Sequence, residues 1–176
     1  LDDWCRWAVK AALAPEVIGY IRWQPADLNL GPGDDGYNKH ARSRPSPRSW
    51  EYVSRVMGQH AAQDITRAMV AGLVGEGHAT KFLGFAELYR SLPSIDGILL
   101  NPTSAPVPAD AATLYAVSSA LARRADGGNL GRVLQYLDRL PPEFAVFSVR
   151  DATARDVTLS TAHEFTLWAA THSHQL

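Results

Sequence analysis

The sequence predicts an all-α fold, an irregular multi-helix domain. Apolar residues recur at helical spacing through most of the chain, most clearly at Leu130, Val133, Leu134 and Leu137. Period-two alternation joined by hairpin turns is absent. Serine, aspartate and proline stand at helix starts, and glycine and proline at helix stops. About eight to nine helices are expected on this pattern. Their spacing is too irregular for a solenoid repeat.

Asp2 or Asp3 caps a first helix, expected to place Trp4, Trp7 and Ala11 on one face. Pro15 opens a second, with Val17, Ile18 and Ile21 inward, and Pro25 ends or kinks it. Asn29 to Pro45 is rich in Gly, Asp, Arg and Pro and has no periodicity. A loop of that length inside a compact domain is usually functional or disordered. A third helix opens at Ser46-Pro47 and runs to about Met57, with Trp50, Val53 and Met57 on its inner face. Gln63 or Asp64 begins a fourth, expected to bury Ile65, Met69 and Leu73 and to break at Gly75 and Gly77. The next carries Phe82, Ala86 and Tyr89 and stops before Pro93. Ile95 to Leu100 fits one or two helical turns or a strand, and Asn101 to Pro108 is a proline-rich connection. Leu114, Val117 and Leu121 mark a further helix, and the Leu130–Leu137 stripe follows it. After Pro141-Pro142 comes a helix with Phe144 and Phe147. A last one starts near Ser160 or Thr161 and carries Phe165 and Trp168.

Composition bounds the function. With 176 residues the chain holds one domain or one domain with an elaboration, and 46% apolar against 20% charged residues is ordinary for a globular protein. The formal charge of −1 leaves no bulk electrostatic footprint for nucleic acid. Cys5 stands alone, which excludes an internal disulfide. No apolar run approaches a membrane span. The opening Leu1-Asp2-Asp3-Trp4 is acidic, unlike a signal peptide, so a cytoplasmic setting is expected. The missing initial Met fits a piece of a longer chain.

The residues of most interest are Ser46-Pro47-Arg48-Ser49-Trp50. Serine caps a helix because its hydroxyl accepts from an unpaired first-turn N–H, and proline loses no helical bond at the next position. Arg48 then sits beside the partial positive charge of the helix start. A cation is mildly unfavourable there unless an anion such as a phosphate is meant to share the end. The plain alternative is a solvated surface arginine.

Other chemistry is thin. Gly31 and Gly36 have P-loop spacing, but Tyr37-Asn38 stands where Lys and Ser or Thr are needed, and no strand precedes them. Asp34 and Asp35 lack the ligand ladder of a calcium loop. No His-Glu-x-x-His pair exists, and His172 and His174 read as a solvated tail, so no metal site is expected. Glu76 and His78 read as residues of a helix start, and Cys5 as a buried structural thiol.

The Ser46-Pro47-Arg48-Ser49 run, after an N-terminal pair of helices, resembles the start of the third lid helix in AAA+ ATPases of the MoxR-type branch. There a Ser-Pro-Arg-[Ala/Ser] run carries the arginine called sensor 2. The chain departs from that pattern at Arg44-Pro45, where Gly and a small residue are usual. The resemblance implies a lid-like helical domain over residues 1–75. Residues 76–176, including Leu140-Pro141-Pro142-Glu143-Phe144, would form a C-terminal helical extension packed on it. It also implies a preceding nucleotide-binding domain that supplies the Walker motifs, ATP and Mg2+ bound only in that full-length protein, and Arg48 approaching the γ-phosphate with Ser46, Pro47 and Trp50 in support. The family forms rings, commonly hexamers, that remodel a protein partner, often with a von Willebrand A-type protein, in a chaperone-like role. This chain alone, without a P-loop lysine, is expected to be inactive as an ATP hydrolase. The alternative is a stand-alone all-α protein-interaction module with no nucleotide role. A helix-turn-helix DNA-binding domain is a third reading, which the near-neutral charge opposes.

Overall fold

A computed structural model describes residues 1–35, 37–59 and 61–172. Among the described residues there are ten α-helices, two short 3-10 helices and no strand, as the periodicity predicts. They form two compact units, Leu1–Arg90 and Ser91–Leu176. The expected division after residue 75 falls inside the first unit. The helix that follows it packs on two earlier helices through Phe82, Phe85 and Ala86, and these buried side chains hold it there.

The first unit contains α1 (Asp2–Lys10), α2 (Pro15–Trp23), a 3-10 turn (Pro25–Leu28), α3 (Pro47–Met57), α4 (Gln63–Val74) and α5 (Glu76–Arg90). Helix α2 packs on α5, α3 on α4, and α4 on α5. Their shared core is aromatic. Tyr20 sits within 5.3–5.8 Å, ring centroid to centroid, of Trp50, Phe82 and Phe85, and Trp23 stacks on Phe85 at 5.6 Å.

Two helix faces differ from expectation. In α1 the buried residues are Cys5 and Ala8, and Ala8 packs with Leu13 and Ile18, while Trp7 is exposed and Ala11 lies past the helix end. In α4 the buried residues are Val70 and Val74, and Ile65 and Met69 are 52% and 39% exposed. Both helices are apolar on more than one side, so their partners select the face. Gly75, at φ +88°, ends α4, and a Cβ there would lie 3.4 Å from the Ser43 carbonyl oxygen. Gly77, expected as a second breaker, lies within the first turn of α5.

The second unit contains α6 (Ile95–Leu100), α7 (Ala111–Arg124), α8 (Leu130–Leu137), α9 (Pro142–Arg155), a 3-10 turn (Val157–Thr161) and α10 (His163–Thr171). Its core joins the α7 and α8 stripes to Phe144, Val149, Leu159 and Trp168. Ile95 to Leu100 is helical, and Ser94 Oγ accepts from Gly97 N to cap it. The proline-rich connection before α7 is pinned from α8 and the residues after it. Tyr136 Oη donates to the Pro106 carbonyl at 2.7 Å, and Arg139 to the Pro102 carbonyl at 2.6 Å.

Asp110 caps α7, accepting from Thr113 N at 2.8 Å and Thr113 Oγ1 at 2.9 Å. The hydroxyl bond first, then the amide bond, holds its carboxyl below the usual range. Asp110→Ala should lower stability by about 1 kcal/mol at neutral pH in urea unfolding of the chain. Because the folded value is depressed, this stabilisation is present above the ordinary carboxylate range. It should fade as pH falls through the folded value, so wild type and variant should converge in acid.

Candidate functional site

The third helix starts as its sequence dictates. Ser46 is extended at φ −158°; its Oγ accepts from Ser49 N at 3.1 Å, and Ser49 Oγ accepts from Ser46 N at 2.8 Å. This reciprocal capping box, with Pro47 at the first helical position, makes a rigid first turn. Pro47 has no N–H, Ser49 N is bonded to Ser46 Oγ, and Trp50 N is bonded to the Ser46 carbonyl. The one open amide of the turn, among the described residues, is that of Arg48. The Arg48 side chain is exposed and has no hydrogen-bond or ion-pair partner among them, and the first turn contains no acidic residue. A cation and an open N–H therefore stand together at one helix end, an arrangement that suits an anion with several oxygens.

Trp50 is fully buried, and its Nε1 donates to the Asp27 carbonyl at 2.7 Å. Asp27, in the turn after α2, is itself only 6% exposed. Its carboxylate accepts a short hydrogen bond from Tyr20 Oη. His78 Nδ1 lies 3.1 Å from the other carboxylate oxygen, shielded from solvent and not aligned for a hydrogen bond, so that pair is ionic when the ring is protonated. Lys81 Nζ lies 3.9 Å away. Burial first, then the bond to Asp27 and its charge, raises the pKa of the Tyr20 phenol far above its ordinary value and keeps it a donor.

The 29–45 loop closes on itself where Leu30 N donates to the Pro45 carbonyl at 3.1 Å. Ser43 Oγ ties it to the Ala71 carbonyl near the end of α4 at 3.1 Å. Between this loop and the first turn of α5 is a cavity of about 210 Å³, lined by Tyr37, Ser43, Arg44, Glu76 and His78 among others. Arg44 is engaged there with Tyr37, at 3.3 Å to its hydroxyl. Asp34 Oδ2 accepts from Gly31 N at 2.7 Å, a local turn rather than a calcium ladder. Gly36, the second glycine of the P-loop spacing, lies outside the described residues.

The structure thus joins Ser46, Pro47 and Trp50 to one turn carrying Arg48, and places behind it Asp27 and Tyr20, which sequence reasoning missed, and His78, which it read only as a residue of a helix start. No local signal marks Asp27, because its partners come from separate helices. Glu76, in the first turn of α5, pairs with Arg67 at 3.2 Å. His172 differs from the solvated tail expected of it. It stacks on Trp168 at 4.4 Å between centroids, and its Nε2 lies 3.5 Å from Asp138, which also accepts from Trp168 Nε1 at 2.6 Å. An aromatic face and a carboxylate within reach explain the difference. His174 lies outside the described residues. Among the described residues no cluster of three or more His, Cys, Asp or Glu is placed to hold a metal, and no helix is long and apolar enough to cross a membrane.

No protein-family model, curated protein or solved structure matches the chain.

Trp50→Ala should cost about 3–5 kcal/mol in urea unfolding of the chain, since it empties a large aromatic site and frees the Asp27 carbonyl. A cost under about 1 kcal/mol would show that the aromatic core repacks without it.

Proposed function

We propose that this chain is the lid and C-terminal helical region of a MoxR-like AAA+ ATPase. The observation that carries the reading is Arg48: exposed, without a partner among the described residues, beside the one open amide of a rigidly capped turn. The lid closes over ATP and Mg2+ held by a preceding nucleotide-binding domain. Arg48 meets the γ-phosphate there through paired guanidinium donors. The residues present fit that anion, because cation and N–H are both unspent and no carboxylate competes in the first turn. Hydrolysis then sets the lid angle within a cytoplasmic homo-oligomeric ring that remodels a protein client, with a von Willebrand A-type protein as a partner.

One observation favours a second reading, a protein-interaction module without a nucleotide role. Ile65 and Met69 stand a helical turn apart on α4 and are both exposed.

Arg48→Ala should leave the stability of this chain within about 0.5 kcal/mol, as at an ordinary surface position. In the full-length protein it should cut ATP turnover about tenfold or more. Arg48→Lys should recover only part of the loss, because a point charge cannot make the two-pronged contact. Unchanged hydrolysis with normal ring assembly would remove Arg48 from the site and leave it an ordinary surface arginine. The chain alone should hydrolyse ATP no faster than buffer.

A further inference from the structure

We infer, on the reading of Arg48 as a phosphate contact, that Asp27 is the positioning residue for that arginine. A first-turn side chain goes where its turn directs it, and two devices direct this one. The capping box fixes the backbone at Ser46 and Ser49. Trp50, two positions beyond Arg48, fixes the rotation of the turn about the helix axis. Apolar packing on Tyr20 and Phe82 confines the indole but does not by itself select which way its N–H points. The directional restraint is the Nε1 bond to the Asp27 carbonyl at 2.7 Å.

That carbonyl belongs to a turn of four residues, Pro25–Leu28, too short to hold its own geometry firmly. The side chain of Asp27 supplies what the turn lacks. Tyr20 on α2 donates to its carboxylate, and His78 and Lys81 on α5 face it at 3.1 and 3.9 Å. Asp27 is thereby tied from α2 and α5 through its carboxylate, and it holds α3 through its carbonyl. A chain that needed only stability would do as well with an apolar residue here, because burying a carboxylate is costly. The charge secures direction: one hydrogen-bond donor on α2 and two basic side chains on α5 set where the carbonyl points, and so where Trp50 and Arg48 stand.

A double-mutant cycle in the full-length protein tests this by steady-state ATP hydrolysis, with thermal melting of each variant alongside. Asp27→Asn keeps the volume and an acceptor for Tyr20 but removes the charge that faces His78 and Lys81. It should lower kcat about fivefold or more, in line with the sensitivity of catalysis to small misplacements. In an Arg48→Ala background the same change should alter kcat by less than about twofold, because the residue it positions is gone. Trp50→Phe keeps an aromatic ring but removes the Nε1 donor together with part of the buried indole, and should repeat the pattern beyond what its loss in melting temperature accounts for if Asp27→Asn folds poorly. Equal losses in both backgrounds would show that Asp27 serves the fold generally, and would overturn the inference. So would a well-folded Asp27→Asn protein with wild-type turnover. If Arg48→Ala itself leaves turnover intact, the phosphate-contact reading falls, and the positioning role falls with it.

Discussion

The first unit depends on one constraint: a carboxylate buried among aromatic rings must find its partners inside the protein. Asp27 is 6% exposed, beside a cluster built on Tyr20, Trp50 and Phe82. An unpaired charge there would cost several kcal/mol. Tyr20 answers with a hydroxyl that burial keeps protonated, and α5 answers with His78 and Lys81. These partners need α2 and α5 at a fixed distance and rotation. The same residue fixes α3 through the indole of Trp50. Packing alone tolerates small slides between helices, and directional bonds to one buried residue do not.

The second unit solves a similar problem with different chemistry. Its connections are anchored by long side chains that reach backbone carbonyls: Tyr136 to Pro106, Arg139 to Pro102 and Arg155 to Ala125. Proline-rich segments supply few N–H groups, so their carbonyls need donors from elsewhere. The cost of ordering long side chains is offset because each bond fixes a stretch of otherwise irregular chain. Asp138, Trp168 and His172 do the same for α10, closing its last turn onto the residue that ends α8.

How far the fold could be read from sequence follows from the same distinction. Local signals gave what local chemistry decides. The Ser46-Pro47 start, the inward Trp50 and Val53, the buried stripes of α7 and α8 and the buried Cys5 are all as read. Where a helix is apolar on several sides, periodicity could not choose. Helix α4 carries Ile65, Met69, Val70, Leu73 and Val74, and its neighbours select Val70 and Val74 for burial. The division after residue 75 came from the family resemblance and not from the core: Gly75 turns the chain, Phe82 and Phe85 on α5 reach Tyr20, and α5 lies in the first unit. Of the candidate site, the turn bearing Arg48 was legible and Asp27 was not. Its partners lie 7 residues away at Tyr20 and 23 at Trp50, and such pairings leave no periodic trace.

The charges near the α3 turn also divide by role. Tyr20 donates to the buried Asp27 carboxylate and His78 faces it at 3.1 Å, while Arg44 is engaged with Tyr37 in the loop before the turn. Glu76 is taken up by Arg67. Among the described residues, Arg48 alone in its turn is left unspent, on a helix end whose other donors are already used. A turn shaped only for stability would place an acidic residue there, where the helix dipole favours it by about 0.3–1 kcal/mol. The chain instead places a cation at that end and a buried carboxylate behind it. Both choices run against helix stability taken alone. Both make sense if the turn exists to hold an arginine toward an anion that this chain does not itself provide.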